Sequence, residues 1–66
     1  MKARVNGVER ELTDGATVTD VLRLLEIAGN GVAVAVNGEV VPRAHHQQTV
    51  VGEGAEVEVL TAVQGG

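Results

Sequence analysis

The chain has 66 residues, 44% of them apolar and 21% charged, with no cysteine, no aromatic residue and a net charge of −4. Disulfides, thiolate metal sites, a cysteine nucleophile and a persulfide held on this chain are excluded, and base stacking and a large aromatic ligand anchor go with the missing rings. The negative charge disfavours nucleic acid and anionic membrane as partners and suits a protein partner with a basic docking face.

A chain of this length makes one domain, residues 1–66, with a thin core and an expected net stability of about 3–5 kcal/mol. No apolar run approaches membrane-spanning length. The segment Met1-Lys2-Ala3-Arg4-Val5-Asn6-Gly7 lacks the apolar stretch of a signal peptide, so a cytoplasmic location is expected.

In chain order, Met1, Ala3 and Val5 alternate with Lys2 and Arg4, which predicts a strand with one buried face. Asn6-Gly7 favours the left-handed angles of a two-residue hairpin turn. Val8 and Leu12 alternate with charged residues through a second strand, closed by Asp14-Gly15. Thr17 begins a helix as N-cap, with Asp20 completing a T-x-x-D capping box. Val18, Val21, Leu22, Leu25 and Ala28 share one helix face. Gly29-Asn30-Gly31 is expected to end the helix through residues tolerant of positive φ. Ile27 falls off the apolar face and finds no place in this pattern.

Val32, Val34 and Val36 alternate with Ala33 and Ala35, which suits a strand covered or crowded on both sides. Asn37-Gly38 is a second hairpin signal. Val40 and Val41 resume extended chain, and Pro42 marks an edge or an exit. The polar stretch Arg43 to Thr49 reads as a loop or a short 3₁₀ turn. Val50-Val51 precede a turn at Gly52-Glu53-Gly54. In the last strand Val57, Val59, Thr61 and Val63 form the inward phase. The order strand, strand, helix, strand, short strand, last strand predicts an α+β domain. One mixed sheet of four to five strands carries a single helix across one face, with the final strand beside the first: the ubiquitin-like β-grasp arrangement.

Ordinary enzyme chemistry finds no material. The nine Asp and Glu residues fall at turns or on outward strand phases, and the chain has no serine. No glycine-rich phosphate loop precedes a helix. His45-His46 are expected to be exposed loop residues, since neighbouring side chains point apart in extended chain and do not converge on a metal. No metal site and no bound cofactor are expected.

The C-terminal region is different. On the last strand the outward phase contains Glu56, Glu58, Leu60 and Ala62, so two apolar side chains stand where solvent is expected. A docking patch at Leu60, Ala62, Gln64 and Glu58 follows, with burial under a loop as the alternative. The final Gly65-Gly66 packs no side chain and costs ordering entropy, a poor end for stability. A flexible tail is expected over residues 64–66; its two glycines, without Cβ atoms, would thread a narrow channel, and the Gly66 carbonyl carbon is open to a nucleophile.

These features together resemble the ThiS family of sulfur carriers: the hairpin start, the Thr17-Val18 helix entry with Val21-Leu22-Leu25, the run Val34-Ala35-Val36-Asn37-Gly38, Val41-Pro42-Arg43, Gly54 before the last strand and Gly65-Gly66. The resemblance implies a ubiquitin-like protein co-substrate in thiamin thiazole biosynthesis rather than an enzyme. Its Gly66 carboxylate would be adenylated by a ThiF-like (E1-like) adenylyltransferase using ATP and Mg²⁺. A cysteine desulfurase would supply sulfur, and a ThiG-like thiazole synthase would accept it from the Gly66 thiocarboxylate. Gly65 would give access to the tail. The other readings that fit the residues are a molybdopterin-synthase small subunit or other-pathway carrier, a ubiquitin-like modifier joined to lysines, and an interaction module with an inert tail.

Overall fold

A computed structural model describes residues 1–27 and 31–61. Five strands, β1 (Lys2–Val5), β2 (Val8–Glu11), β3 (Val32–Val36), β4 (Glu39–Val41) and β5 (Glu56–Thr61), form one sheet in the order β2-β1-β5-β3-β4. Only β1 and β5 run parallel; the other pairs are antiparallel. The one α-helix among the described residues, α1 (Val18–Leu24), lies on one face, and a 3₁₀ turn spans Arg43–His45. This is the β-grasp arrangement the sequence predicts.

The core follows from strand alternation. Ala3 and Val5 of β1, Val34 of β3, Val41 of β4 and Val57 and Val59 of β5 point to the helix side, where they meet Val18, Val21 and Leu22 of α1. On β2 the expectation fails in part: Leu12 is buried but Val8, on the same phase, is exposed. β2 is an outer strand and Val8 stands at its turn end, away from the helix. Thr61, although in phase with Val57 and Val59, is also exposed, beyond the point where β1 turns away. Val63 lies outside the described residues.

Both hairpins use an Asn-Gly pair at positive φ, 51° and 82° for Asn6-Gly7 and 53° and 82° for Asn37-Gly38. These angles match the twist of the flanking strands. The asparagine side chains then do a second job. β1 pairs with β5 only as far as Val5↔Val57. Past that point the Asn6 amide takes over the ladder: Val59 N–H donates to Asn6 Oδ1 at 2.8 Å and Asn6 Nδ2 donates to the Val59 carbonyl at 3.2 Å. On the other flank of β5, Glu56 N–H donates to Asn37 Oδ1 at 3.0 Å while Asn37 N–H donates to the Glu56 carbonyl at 2.7 Å. β5 is thus held on both sides by turn asparagines.

The helix N-terminus is fully satisfied. The first helical N–H groups are the orphans of any helix. Here Val18 N–H donates to the Thr49 carbonyl at 3.0 Å, Thr19 N–H to the His46 carbonyl at 3.1 Å, and Asp20 N–H to Thr17 Oγ1 at 3.3 Å. Thr17 N–H donates back to Asp20 Oδ2 at 2.9 Å, completing the expected capping box. This docking explains a correction: His46 is buried, not an exposed loop histidine. Its Nε2 sits 3.1 Å from the Val41 carbonyl oxygen, and since that oxygen only accepts, Nε2 carries the proton. His45 remains exposed, as expected.

The helix also ends earlier than expected. Leu25 is the C-cap and Glu26 follows at φ 59°. Ile27 N–H donates to the Leu22 carbonyl at 2.9 Å and Glu26 N–H to the Arg23 carbonyl at 3.0 Å, the two bonds of a Schellman cap. A glutamate thus takes the left-handed position that glycine usually fills. The reversal swings Ile27 back onto the core, which accounts for its place off the helix face. Ala28, Gly29 and Asn30 lie outside the described residues.

Two outcomes follow. Asn6→Gly keeps the turn but strips the part-buried Val59 backbone of its partner, so urea unfolding is expected to show a loss of about 1–3 kcal/mol, against less than about 1 kcal/mol for Asn37→Gly at its exposed site. The Asp20 carboxyl is held below its ordinary 3.8, chiefly by the Thr17 backbone N–H, then by the Thr17 hydroxyl and Arg23, against desolvation. A lowered pKa means this contribution is present above pH 3.8 and fades as pH falls through the folded-state value. Asp20→Asn is therefore expected to be less stable than the wild type at neutral pH, with the two urea midpoints converging in acid.

Candidate functional site

The open face of the sheet, opposite α1, is built from the strand positions that point away from the core. On β5 these are Glu56, Glu58 and Leu60; on β3, Ala33 and Ala35; on β4, Val40. Register brings them together. Leu60 sits directly opposite Ala33, and Ala35 lies between Glu58 on one side and Val40 on the other. Directly paired Cβ atoms are about 4.5–5.5 Å apart, so Leu60, Ala33, Ala35 and Val40 make one apolar patch with Glu58 set into its side. Leu60 and Val40 are each 71% exposed, the largest exposure among the described large apolar residues. Leu60 is therefore surface rather than an edge residue covered by a loop.

Of the expected docking residues, the structure places Leu60 and Glu58 side by side on this face. Ala62 and Gln64, with Gly65 and Gly66, lie outside the described residues. Ala33, Ala35 and Val40 were missed by sequence reasoning. Their signal was available: two alanines on the outward phase of β3 read as a sign of cover, but Ala33 is exposed and Ala35 half-buried. Among the described residues no element covers Ala33, so the two alanines belong to a bare apolar face. Val40 gave no signal, since the pairing Ala35↔Val40 follows from the turn register.

The other half of the open face is charged. Arg4 of β1 stands between Glu9 of β2 and Glu56 of β5, and its Nη1 lies 3.3 Å from Glu56 Oε1. Both side chains are more than half exposed, so the pair orients charge more than it stabilises. Lys2 stands opposite Glu11 and its backbone N–H donates to Glu53 Oε1; with Glu9, Glu56 and Glu58, five carboxylates face Lys2 and Arg4, so this half is net acidic and borders the apolar half along β5. The Val41-Pro42-Arg43 step has a local structural role: Val41 is buried, Pro42 caps the 3₁₀ turn at φ −60°, and Arg43 is exposed. An open recess of about 520 Å³ runs along β4 past Val36, Val40, Val41 and Pro42 to His45 and Thr49.

Among the described residues, no three His, Asp or Glu side chains come together to hold a metal ion. What the face can do chemically is dock: an apolar strip for burial, a row of carboxylates for orientation, and a strand, β5, whose sequence runs on directly into the glycine tail.

The pattern of the ThiS family matches residues 3–66, nearly the whole chain and through both terminal glycines. The chain belongs to the ThiS family. The chain is also similar to a solved ThiS protein, a thiamine biosynthesis protein from Geobacter metallireducens. Its crystal structure is 38% identical, covers 100% of both chains and superposes with a TM-score of 0.75. Its solution structure gives 0.76 over 100% of this chain and 88% of that one, at the same 38% identity. A thiazole synthase from Paramagnetospirillum magneticum (strain ATCC 700264 / AMB-1) is 35% identical over 66 residues, 100% of this chain but 20% of that protein. This chain therefore spans only a small part of the length of that curated relative. With ThiS membership, the β-grasp sheet and its open face acquire a family context, and no helix among the described residues is long and apolar enough to cross a membrane.

Leu60→Asp and Val40→Asp change surface, not core. Each is expected to shift the urea unfolding free energy by less than about 0.5 kcal/mol, whereas Val57→Ala, in the fully buried row, is expected to cost about 2 kcal/mol.

Proposed function

We propose that this protein is a sulfur carrier of thiamin biosynthesis and that the Gly66 carboxylate is the group it charges. The observation that carries this reading is the ThiS match running to residue 66, through Gly65 and Gly66, which have no side chain to pack. The solved Geobacter thiamine biosynthesis protein, matched over its full length, supports the pathway.

The chemistry explains why such a carrier needs partners. A carboxylate is a poor electrophile, because its charge is shared by two oxygens and oxide is a poor leaving group. An E1-like adenylyltransferase uses ATP and Mg²⁺: a Gly66 carboxylate oxygen bonds to the α-phosphorus and pyrophosphate leaves. A persulfide sulfur, derived from a cysteine desulfurase, then bonds to the Gly66 carbonyl carbon and AMP leaves. A second thiol reduces the resulting S–S bond and frees a thiocarboxylate. That anion is a good nucleophile, and a thiazole synthase takes its sulfur. This chain acts as a co-substrate in that sequence and binds no cofactor of its own.

The thiazole synthase as acceptor is supported by the Paramagnetospirillum relative, in which a segment 35% identical to this chain belongs to a protein of that name. Leu60, Ala62, Gln64 and Glu58 would dock the partners, with Ala33, Ala35 and Val40 extending the surface. Gly65 and Gly66, lacking side chains, would enter the partner's channel.

The test is an intact-mass measurement after incubation with an adenylating partner, ATP, Mg²⁺ and a persulfide source. Replacement of one oxygen by sulfur at Gly66 is expected, and the same spectrum reads whether Gly66 bears the terminal carboxylate. No change under conditions where the partner charges a control carrier would sink the proposal. Deleting Gly66 is expected to abolish charging with the fold intact, and Leu60→Asp to slow charging by about tenfold through weakened docking.

A further inference from the structure

The tripeptide Val-Asn-Gly occurs twice in turns of nearly identical backbone, at Val5-Asn6-Gly7 and Val36-Asn37-Gly38. Asparagine before glycine is a chemically labile pair, because the bare glycine lets its backbone nitrogen approach the asparagine side chain. Both glycines here face open space, with nothing within 4 Å of where a Cβ would stand. Local sequence and local geometry are therefore matched at the two sites. What differs is how tightly each side chain is tied to the rest of the fold.

Asn6 is held through both amide atoms, in part-buried hydrogen bonds to Val59. Its Nδ2, the group that must leave, is itself a donor in that ladder. Among the described residues, the Asn37 side chain is held only through Oδ1, by the exposed Glu56 N–H. Attack requires the side chain to swing so that Cγ comes over the next backbone nitrogen. At Asn6 that motion breaks two hydrogen bonds and strips the Val59 backbone; at Asn37 it breaks one, and water replaces it.

The geometry points to Asn37 as a site of spontaneous covalent modification, deamidation to aspartate and isoaspartate, from which the otherwise equivalent Asn6 is protected by its clamp on β5. The Gly38 nitrogen bonds to Asn37 Cγ, its proton passes to water, the Cγ–Nδ2 bond breaks and ammonia leaves. Water then opens the five-membered imide at either carbonyl, and no oxidant or reductant is involved. Aspartate at 37 keeps the acceptor for Glu56 N–H and adds a charge beside Glu39 and Glu56. Isoaspartate inserts a methylene into the main chain of a two-residue turn, which disturbs the Val36↔Glu39 and Ala35↔Val40 pairs and moves Val40 out of line with the open-face patch. The product thus damages the docking face while leaving the β1–β5 pairing intact.

The experiment follows the full chain bearing Asn30→Ser, which removes the third Asn-Gly step. The folded protein is held at mildly alkaline pH and physiological temperature, digested at intervals and read by tandem mass spectrometry, with isoaspartate distinguished by chromatography. Asn37 is expected to convert at least about five times faster than Asn6, the ratio that one additional net hydrogen bond supplies. The same chain in urea is expected to convert both at similar rates. Equal rates in the folded state, a faster Asn6, or a difference that survives in urea would each overturn the assignment. The last would place the cause in Val8 and Glu39, the residues that follow the two glycines.

Discussion

β5 is the strand on which the rest of the molecule depends, and it is held by two asparagine side chains. A strand between two neighbours must find partners for its backbone on both sides. β1 is too short to serve β5 along its length, because it must turn at Asn6 to pair with β2. The Asn6 amide has a carbonyl and an NH₂ in the arrangement of a peptide group, so it extends the ladder by one step without extending the strand. The same residue type also tolerates positive φ, which the turn requires. Few residues meet both demands; on the other flank of β5 Asn37 does half of this, accepting through Oδ1 while its backbone N–H supplies the donor.

That construction frees the two faces of the sheet for different work. The helix side is filled by valines, alanines and leucines, small residues that suit a thin core with no ring to fill it. The open side is divided between an acidic half around Arg4 and an apolar half around Leu60. The division runs along β5, so a partner that reads both halves also fixes the direction of that strand.

Much of this was legible in the residues. The Asn-Gly turns, the Thr17 cap and the alternating valines each state a local preference that the fold obeys, and the strand order followed from them. The places where the sequence misled share a cause: long-range contact overrode local pattern. Nothing near Glu26 announces a left-handed residue, since a glycine-rich stretch stands three residues further on. His46 looks like half of an exposed pair, and only the arrival of α1 at its carbonyl buries it. Ala33 and Ala35 signal close packing or a bare apolar face equally well, and Val40 joins them only through the register set by Asn37-Gly38. For Gly65 and Gly66 local pattern says little, and it is the family match that reaches them.

The helix has one further consequence, for the order of events in folding. Seven residues are far below the length at which a helix persists alone in water, and its first two N–H groups are satisfied by carbonyls of Thr49 and His46, nearly half the chain away. It has no stable existence before that loop docks, and the loop docks only on a formed helix. The two must therefore appear in one concerted step together with the sheet that they cover. Such a domain is all present or all absent, so the open face along β5 exists only in the finished fold and is lost whole with it.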